Sequence, residues 1–340
     1  MNLPISNFKS HQFVSYGLMG FFLLLVLKTG LLGALLAGLA IYACTQYISS
    51  HLKNHIDTPK IRQLSLAIVS FFIIAIVVLM SLWCVSLLSG NGTSMGVSAL
   101  MLKMSEILGQ VKQLLPGWMT NNWPTSVTHF NDWVILTLQN HASNLQTAGH
   151  DLIKGLTRII IGMFIGGIIS VIQIGENQSL KPFPAALKQR LEIFTVSFTQ
   201  IVSAQFRISL INTLFTAIFL GLVLPLTGNA LPFTKTMILI TFIVGLIPVL
   251  GNLISNTIIT VIALSVSLWV AISALIFLIL IHKVEYFLNA KIIGGKIQAK
   301  AWELLVAMLL MEALFGLPGV IAAPIYYAYL KEELRKKEVI

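Results

Sequence analysis

The stretch Leu304–Leu330, LLVAMLLMEALFGLPGVIAAPIYYAYL, decides how the chain is read. It is apolar over more than the ~20 residues that a membrane-spanning helix needs. Yet it carries one charge, Glu312, and is interrupted by Gly316-Leu317-Pro318-Gly319 and then by Pro324. A carboxylate at bilayer depth costs several kcal/mol unless it faces protein, water or an ion. Pro and Gly free backbone groups that lipid cannot satisfy. Both features are tolerated where a span lines a cavity, and transporters place their sites at such broken helices. The stretch therefore points to an integral membrane transporter.

Composition agrees with that reading. The chain is 56% hydrophobic and only 10% charged, far from the soluble average. No charged residue occurs in Gln63–Leu102 or in Thr236–Ile281. Candidate membrane segments are Phe13–Leu27 and Leu31–Ile48, a hairpin around Lys28, then Leu64–Leu88, Ile159–Ile174, Ile208–Leu226, Met237–Ser255, Ile258–Ile281 and Leu304–Leu330. That makes eight segments, or seven if one is re-entrant, in an all-α polytopic protein. Many of these runs are apolar on every face, which argues against a large soluble core.

The net charge of +10 is read as lipid-facing rather than nucleic-acid-facing. Basic residues flank spans and favour the cytoplasmic side, and no zinc-finger or strand-and-aromatic pattern suggests nucleic-acid readout. Cys44 and Cys84 sit in apolar runs, where a free Cys behaves as a small apolar residue. The N-terminal run, with Lys9 and His11 before it, reads as a retained first hairpin, not a cleaved leader. His51 and His55 could pair on a helix, but no third ligand is near and no metal or other cofactor is expected.

The chain is expected to divide into residues 1–90, a hairpin and third span; 91–153, a polar extracytoplasmic helical insert; and 154–340, a transport core. Lys53, Lys60 and Arg62 place the first hairpin's return loop, and with it the N-terminus, in the cytoplasm. In the insert, Leu100 to Leu114 and Val127 to Leu152 show helical spacing, and Trp118, Trp123 and Trp133 read as an interfacial belt. Residues 178–206 read as an amphipathic cytoplasmic segment, with Leu187, Leu191, Phe194, Phe198 and Ile201 on one face. One conflict stands. The loop holding Lys283, Lys291, Lys296 and Lys300 and the C-terminus holding Lys331, Arg335, Lys336 and Lys337 are both basic, yet eight full crossings place them on opposite sides. A re-entrant element at Gly245–Asn252 or at Gly316–Pro324 would remove it.

No enzymatic constellation is present: there is no Walker-type loop, HExxH or GxSxG. Polar punctuation inside the spans remains. Pro248, Gly251, Asn252 and Asn256 fall in one charge-free run together with Gly245. The residue before a Pro avoids helix, so an interruption is expected at Ile247. Asn252 and Asn256 could touch a solute, or could serve only as helix–helix glue. Glu312 is the candidate for proton or cation coupling, against the rival of a structural ion pair. Gly316, Pro318, Gly319 and Pro324 would shape the second broken element, and Lys283 and Glu285 would gate or anchor the adjoining loop.

Four stretches in this order resemble the autoinducer-2 exporter family of bacterial membrane proteins: VSAQFRISLINTLFTAIFLG (Val202–Gly221), GLIPVLGN (Gly245–Asn252), Val284-Glu285 with NAKIIG (Asn289–Gly294), and FGLPGVIAAP (Phe315–Pro324). The resemblance implies a multi-span, oligomeric inner-membrane permease that exports a small polar signalling molecule. Some relatives are described as sodium/proton antiporters, so protons or sodium are further expected partners. The chain departs from the common pattern at Glu312, where many relatives carry a small residue, and at Ala290, where the loop often has Pro. A sensory or structural scaffold is the expectation from another class.

Overall fold

The computed structural model describes residues 5–52, 60–88, 142–172, 180–247, 250–297 and 299–338. Most of the predicted insert, with Trp118, Trp123 and Trp133, lies outside the described residues, as do His55 and Pro248. Among the described residues the regular elements are helical throughout. They are α1 (Ile5–Lys28), α2 (Leu32–Leu52), α3 (Ile61–Leu88), α4 (Ala142–Val171), α5 (Pro182–Ile218), α6 (Thr234–Gly245), α7 (Leu250–Leu264), α8 (Leu268–Ile297), α9 (Ala301–Phe315) and α10 (Leu317–Lys336). Among the described residues six helical stretches are long and apolar enough to cross a membrane: His11–Lys28, Leu32–Leu52, Ile61–Leu79, His150–Val171, Pro182–Leu226 and Leu268–Glu285. The chain is an all-α polytopic membrane protein. Its large apolar side chains point outward where a soluble protein would hide them: Phe71 of α3 is 69% exposed and Phe164 of α4 is 70% exposed.

Several boundaries differ from the sequence reading. Residues 178–206 and the span from Ile208 are not separate elements. One helix starts at Pro182 and continues through a π turn, Phe219–Val223, to Leu226. No Gly or Pro occurs between Ala185 and Ile218, so nothing in the backbone chemistry ends the helix at the change of composition. At about 1.5 Å per residue it is roughly twice as long as a bilayer core is thick. A second difference is the break after Leu264, inside a run read as a single span. Ser267 makes it: its Oγ accepts the Val270 N–H at 3.1 Å, a helix N-cap. Lys283 and Glu285 lie inside α8, not in a loop, because the helix runs on to Ile297. Pro324 likewise lies inside α10 and does not end it.

The chain divides into two compact units. The first comprises residues 1–77, 151–203 and 290–340. Within it α1 turns into α2 through Gly30, whose φ of 68° suits glycine. The Leu31 N–H returns to the Val26 carbonyl at 3.0 Å and the Gly30 N–H to Leu27 at 3.2 Å, a Schellman closure. Arg158 of α4 donates to the Gly30 carbonyl at 3.2 Å. α2 and α4 meet along small residues, Ala34 and Gly38 against Gly162 and Gly166. A Cβ on Gly162 would lie 2.1 Å from the Ala34 oxygen, and one on Gly166 would lie 2.1 Å from the Gly38 oxygen. This is the small-xxx-small approach by which helices associate in lipid.

The same unit ties α1, α5 and α10 together around a buried ion pair. Arg190 Nη1 donates to Glu333 Oε2, and both side chains are almost fully buried. Tyr16 donates to the same carboxylate oxygen at 3.3 Å. The Arg190 guanidinium stacks 4.1 Å from the Tyr16 ring centroid, and Lys337 Nζ lies 4.2 Å from it. Phe194 packs edge-on against Tyr326 and Tyr329.

The second unit comprises residues 78–150 and 204–289. Its apolar core joins Phe219, Leu220 and Leu224 to Met237, Ile259, Ala274 and Leu278. Phe219 and Phe277 stack with ring centroids 4.0 Å apart.

Two expectations follow for the first unit. Gly166→Leu should destabilise the protein by at least ~1–3 kcal/mol, because backbone and not a movable side chain occupies the space. Gly17→Leu, with nothing within 4 Å of its Cβ position, should leave the melting temperature in detergent nearly unchanged. Glu333→Ala should cost about 3–5 kcal/mol by leaving Arg190 buried and unpaired, while Arg190→Met combined with Glu333→Leu should recover most of that loss. Thermal unfolding of the four variants measures both expectations.

Candidate functional site: two helical hairpins

Each broken region found in the sequence folds as two successive helices packed against each other. In the second unit the pair is α6 and α7, of 12 and 15 residues. At about 1.5 Å per residue these arms are roughly 18 and 22 Å long, and neither reaches across a ~30 Å hydrocarbon core. Gly245 and Gly251 let the arms meet. A Cβ on Gly251 would lie 2.3 Å from the Val244 oxygen and 2.7 Å from the Gly245 Cα.

A break at this depth frees carbonyls that must find donors. α5 supplies them. Gln205, Ser209, Asn212 and Thr216 recur along one buried face of that helix. Gln205 Nε2 donates to the Gly245 carbonyl at 2.8 Å. Ser209 Oγ donates to the Phe242 carbonyl at 2.8 Å. Asn212 Nδ2 donates to Asn252 Oδ1 at 2.9 Å. Phe206 and Phe242 pack edge to face beside this seam. Asn252 is thus buried and paired, and Asn256, a turn further along α7, is half-buried. Gln205, Ser209, Asn212 and Thr216 are not among the site residues expected from the sequence, although all lie in its Val202–Gly221 stretch. Their polar spacing of four, three and four on one apolar helix was the available signal.

In the first unit the pair is α9 and α10, and its turn is a single residue. Gly316 has φ 62° and ψ −145°, a conformation for which glycine is suited. Its N–H returns to the Glu312 carbonyl at 2.7 Å, and its own carbonyl accepts the Gly319 N–H at 2.9 Å. Pro318 stands in the first turn of α10, where a missing N–H costs nothing. Gly319 is where the arms are closest: a Cβ there would lie 1.9 Å from the Met311 oxygen. The open ends of the arms are also joined. Glu303 Oε2 accepts Lys331 Nζ at 2.7 Å and the Tyr327 hydroxyl at 2.5 Å. These hydrogen bonds, from Lys331 first and Tyr327 next, hold the Glu303 carboxyl below its ordinary range.

The remaining candidates are dispersed. Glu312 is exposed on α9, among the exposed Leu309, Leu310 and Leu314. Lys283 is exposed on α8, whereas Glu285, two residues on, is 7% exposed, and among the described residues its Oε2 has no hydrogen-bond partner. Among the described residues no group of three or more His, Cys, Asp or Glu could hold a metal ion.

Comparison with known proteins places the chain in a family. Residues 14–337 match the model of the AI-2E family transporters, and the chain belongs to that family. It is also similar to a Bacillus subtilis (strain 168) protein named "Putative transport protein YdbI", 28% identical over 174 residues, covering 47% of this chain and 48% of that protein. The chain thus spans about half the length of the curated relative it matches. No solved structure matches.

The Glu303 contacts predict a pH dependence. A carboxylate with a lowered folded-state pKa adds stability that is full above its unfolded value and lost as pH falls through the folded one. At neutral pH the wild type should therefore melt above Glu303→Gln, and the gap should close below about pH 4. Melting curves of both proteins from pH 7 to pH 3 measure it.

Proposed function

We propose that this AI-2E family transporter is a secondary transporter that exports a small polar solute, a signalling molecule of the autoinducer-2 type or a chemical relative, across the bacterial inner membrane. One observation carries the reading: each break in the apolar sequence forms a helical hairpin, and the one whose two arms are both too short to cross, α6–α7, meets buried amides at its tip. Transporters place their sites at such discontinuous helices.

Membrane sidedness supports it. Let the six long stretches cross and let each hairpin enter and leave on one side. With a cytoplasmic N-terminus, Lys60 and Arg62, then Lys291, Lys296 and Lys300, and finally Lys331, Arg335, Lys336 and Lys337, all fall in the cytoplasm. The conflict between the last loop and the C-terminus disappears, as the positive-inside rule asks. The Glu303–Lys331 contact agrees, since it holds the two open ends of the α9–α10 hairpin at one level.

In this reading Asn252 and Asn256 touch the solute. Gly245, Pro248, Gly251, Gly316, Pro318 and Gly319 shape the two tips. Glu312, exposed on an apolar arm, couples a proton or cation, because at bilayer depth its charge needs a partner outside its own hairpin. Lys283 and Glu285 gate from within α8. The outward apolar faces meet lipid and further copies of the chain. A sodium/proton antiporter is the second reading, favoured by the two acids, Glu312 and Glu285, in apolar surroundings.

Proteoliposome flux separates the readings. The export reading expects autoinducer-2 efflux that Gly319→Leu abolishes and whose pH dependence Glu312→Gln flattens. Sodium-dependent proton movement with no organic solute would instead favour the antiporter. Absence of any flux would leave a scaffold.

A further inference from the structure

The first unit holds a cavity at the start of its first membrane span. It measures about 290 Å³ and opens between the beginnings of α1 and α5, walled by His11, Gln12, Leu180, Pro182, Ala186 and Gln189. Three of these side chains, His11, Gln12 and Gln189, carry hydrogen-bond donors, and none of the lining residues is acidic. Gln189 is oriented by a neighbour. Its Oε1 accepts Arg190 Nη2 at 3.4 Å, which leaves its amide N–H groups for another acceptor.

The charge behind this wall is positive. Arg190 is 2% exposed, and among the described residues its Nε is a buried donor with no partner. The Tyr16 ring, one helical turn from Gln12, has the Arg190 guanidinium at 4.1 Å and Lys337 Nζ at 4.2 Å from its centroid. Against these two cations stands one carboxylate at the ring, that of Glu333. Lys181, between Leu180 and Pro182, adds an exposed cation at the rim. α5 starts at Pro182, so the positive end of its dipole lies at the same wall. Such a field favours an anion.

The position of the cavity names the anion. The first apolar span begins at His11, so headgroups lie at that end of α1 and hydrocarbon beyond it. Phe13 and Val14, 81% and 53% exposed, follow Gln12 and offer acyl chains an apolar path. The volume is just under the ~300 Å³ at which ligand pockets begin, room for a phosphodiester but not for a whole lipid. We infer that the α1–α5 cavity binds the phosphate of an anionic phospholipid, with His11, Gln12 and Gln189 donating to it and Lys181 at the rim. Basic pockets between membrane helices take lipid headgroups in this way. A lipid held there bridges α1 and α5 beside the Arg190–Glu333 pair. The inference goes beyond the transport reading, and its test needs no flux.

The test compares the full chain in nanodiscs of phosphatidylcholine alone and of phosphatidylcholine mixed with phosphatidylglycerol. Native mass spectrometry counts the lipid retained through detergent exchange, and thermal unfolding is read on the same samples. The wild type should retain phosphatidylglycerol in preference to phosphatidylcholine and melt higher in the mixed discs. Ala185→Trp, which fills the cavity from an exposed position, should cut that retention about tenfold or more. Gln189→Glu keeps the size of the side chain and the acceptor for Arg190 but sets a carboxylate against the phosphate. It should lose the retention too, and it carries the test if the tryptophan variant does not fold. Lys235→Ala, which removes an exposed cation of the second unit, should retain lipid as the wild type does. Inorganic phosphate added to phosphatidylcholine discs should not raise the melting temperature. Equal retention of the two lipids by the wild type, or wild-type retention in both cavity variants, would overturn the site. Protection by inorganic phosphate equal to that by phosphatidylglycerol would overturn the lipid and leave a soluble anion in its place. No flux is measured, so either failure leaves the export reading where it stands.

Discussion

A carbonyl released from a helix inside hydrocarbon must be met by a donor from the protein, and that constraint organises the second unit. α6 stops at Gly245, and lipid offers nothing to the groups it frees. Gln205 and Ser209 of α5 donate to the Gly245 and Phe242 carbonyls, so the α5 face turned to the hairpin is fixed by two side chains. Ser209 comes so close that a Cβ on Gly245 would lie 2.7 Å from its Oγ. The glycine at the break is thus demanded by the donor that repairs the break. The α9–α10 turn meets the same constraint locally. Gly316 accepts the Gly319 N–H with its carbonyl and returns its own N–H to Glu312, and no other helix is recruited.

Most of this architecture was legible, and the unread parts have physical reasons. Apolar run length gave the membrane class and the long helices. Glycine and proline gave the two breaks, with Gly316 as the actual turn and Pro318 as a helix starter. Pro324 misled because a proline reads as a breaker, while α10 runs through it. α5 misled in the opposite sense. Its change from amphipathic to apolar looked like a boundary, but composition changes what surrounds a helix, not whether the backbone continues. The break after Leu264 carries no glycine or proline at all; Ser267 caps the next helix with its hydroxyl, a signal easily lost among apolar neighbours. Asn252 stood out in its charge-free run, whereas its partner Asn212 needed the four-three-four polar spacing of α5 to be noticed.

Charge is placed by depth in the sequence of each element. Arg190 lies in the first turns of α5, Glu333 in the last turns of α10, Glu303 in the first turn of α9 and Lys331 near the end of α10. Lys331 can draw water or headgroups when its contact with Glu303 opens, whereas the Arg190–Glu333 pair is buried and each partner depends on the other. Inside the helices neutral hydroxyls close on local backbone: Thr199 of α5 bonds the Thr195 carbonyl, and Thr241 of α6 bonds the Met237 carbonyl. Neutral side chains that close on local backbone remove the desolvation cost that an ion would carry there.

Two acids break that pattern, and they break it differently. Glu312 projects from an arm whose neighbours are Leu309, Leu310 and Leu314, all exposed. Whatever solvates it must come from beyond its hairpin. Glu285 is buried within its unit, and among the described residues one of its carboxylate oxygens has no partner.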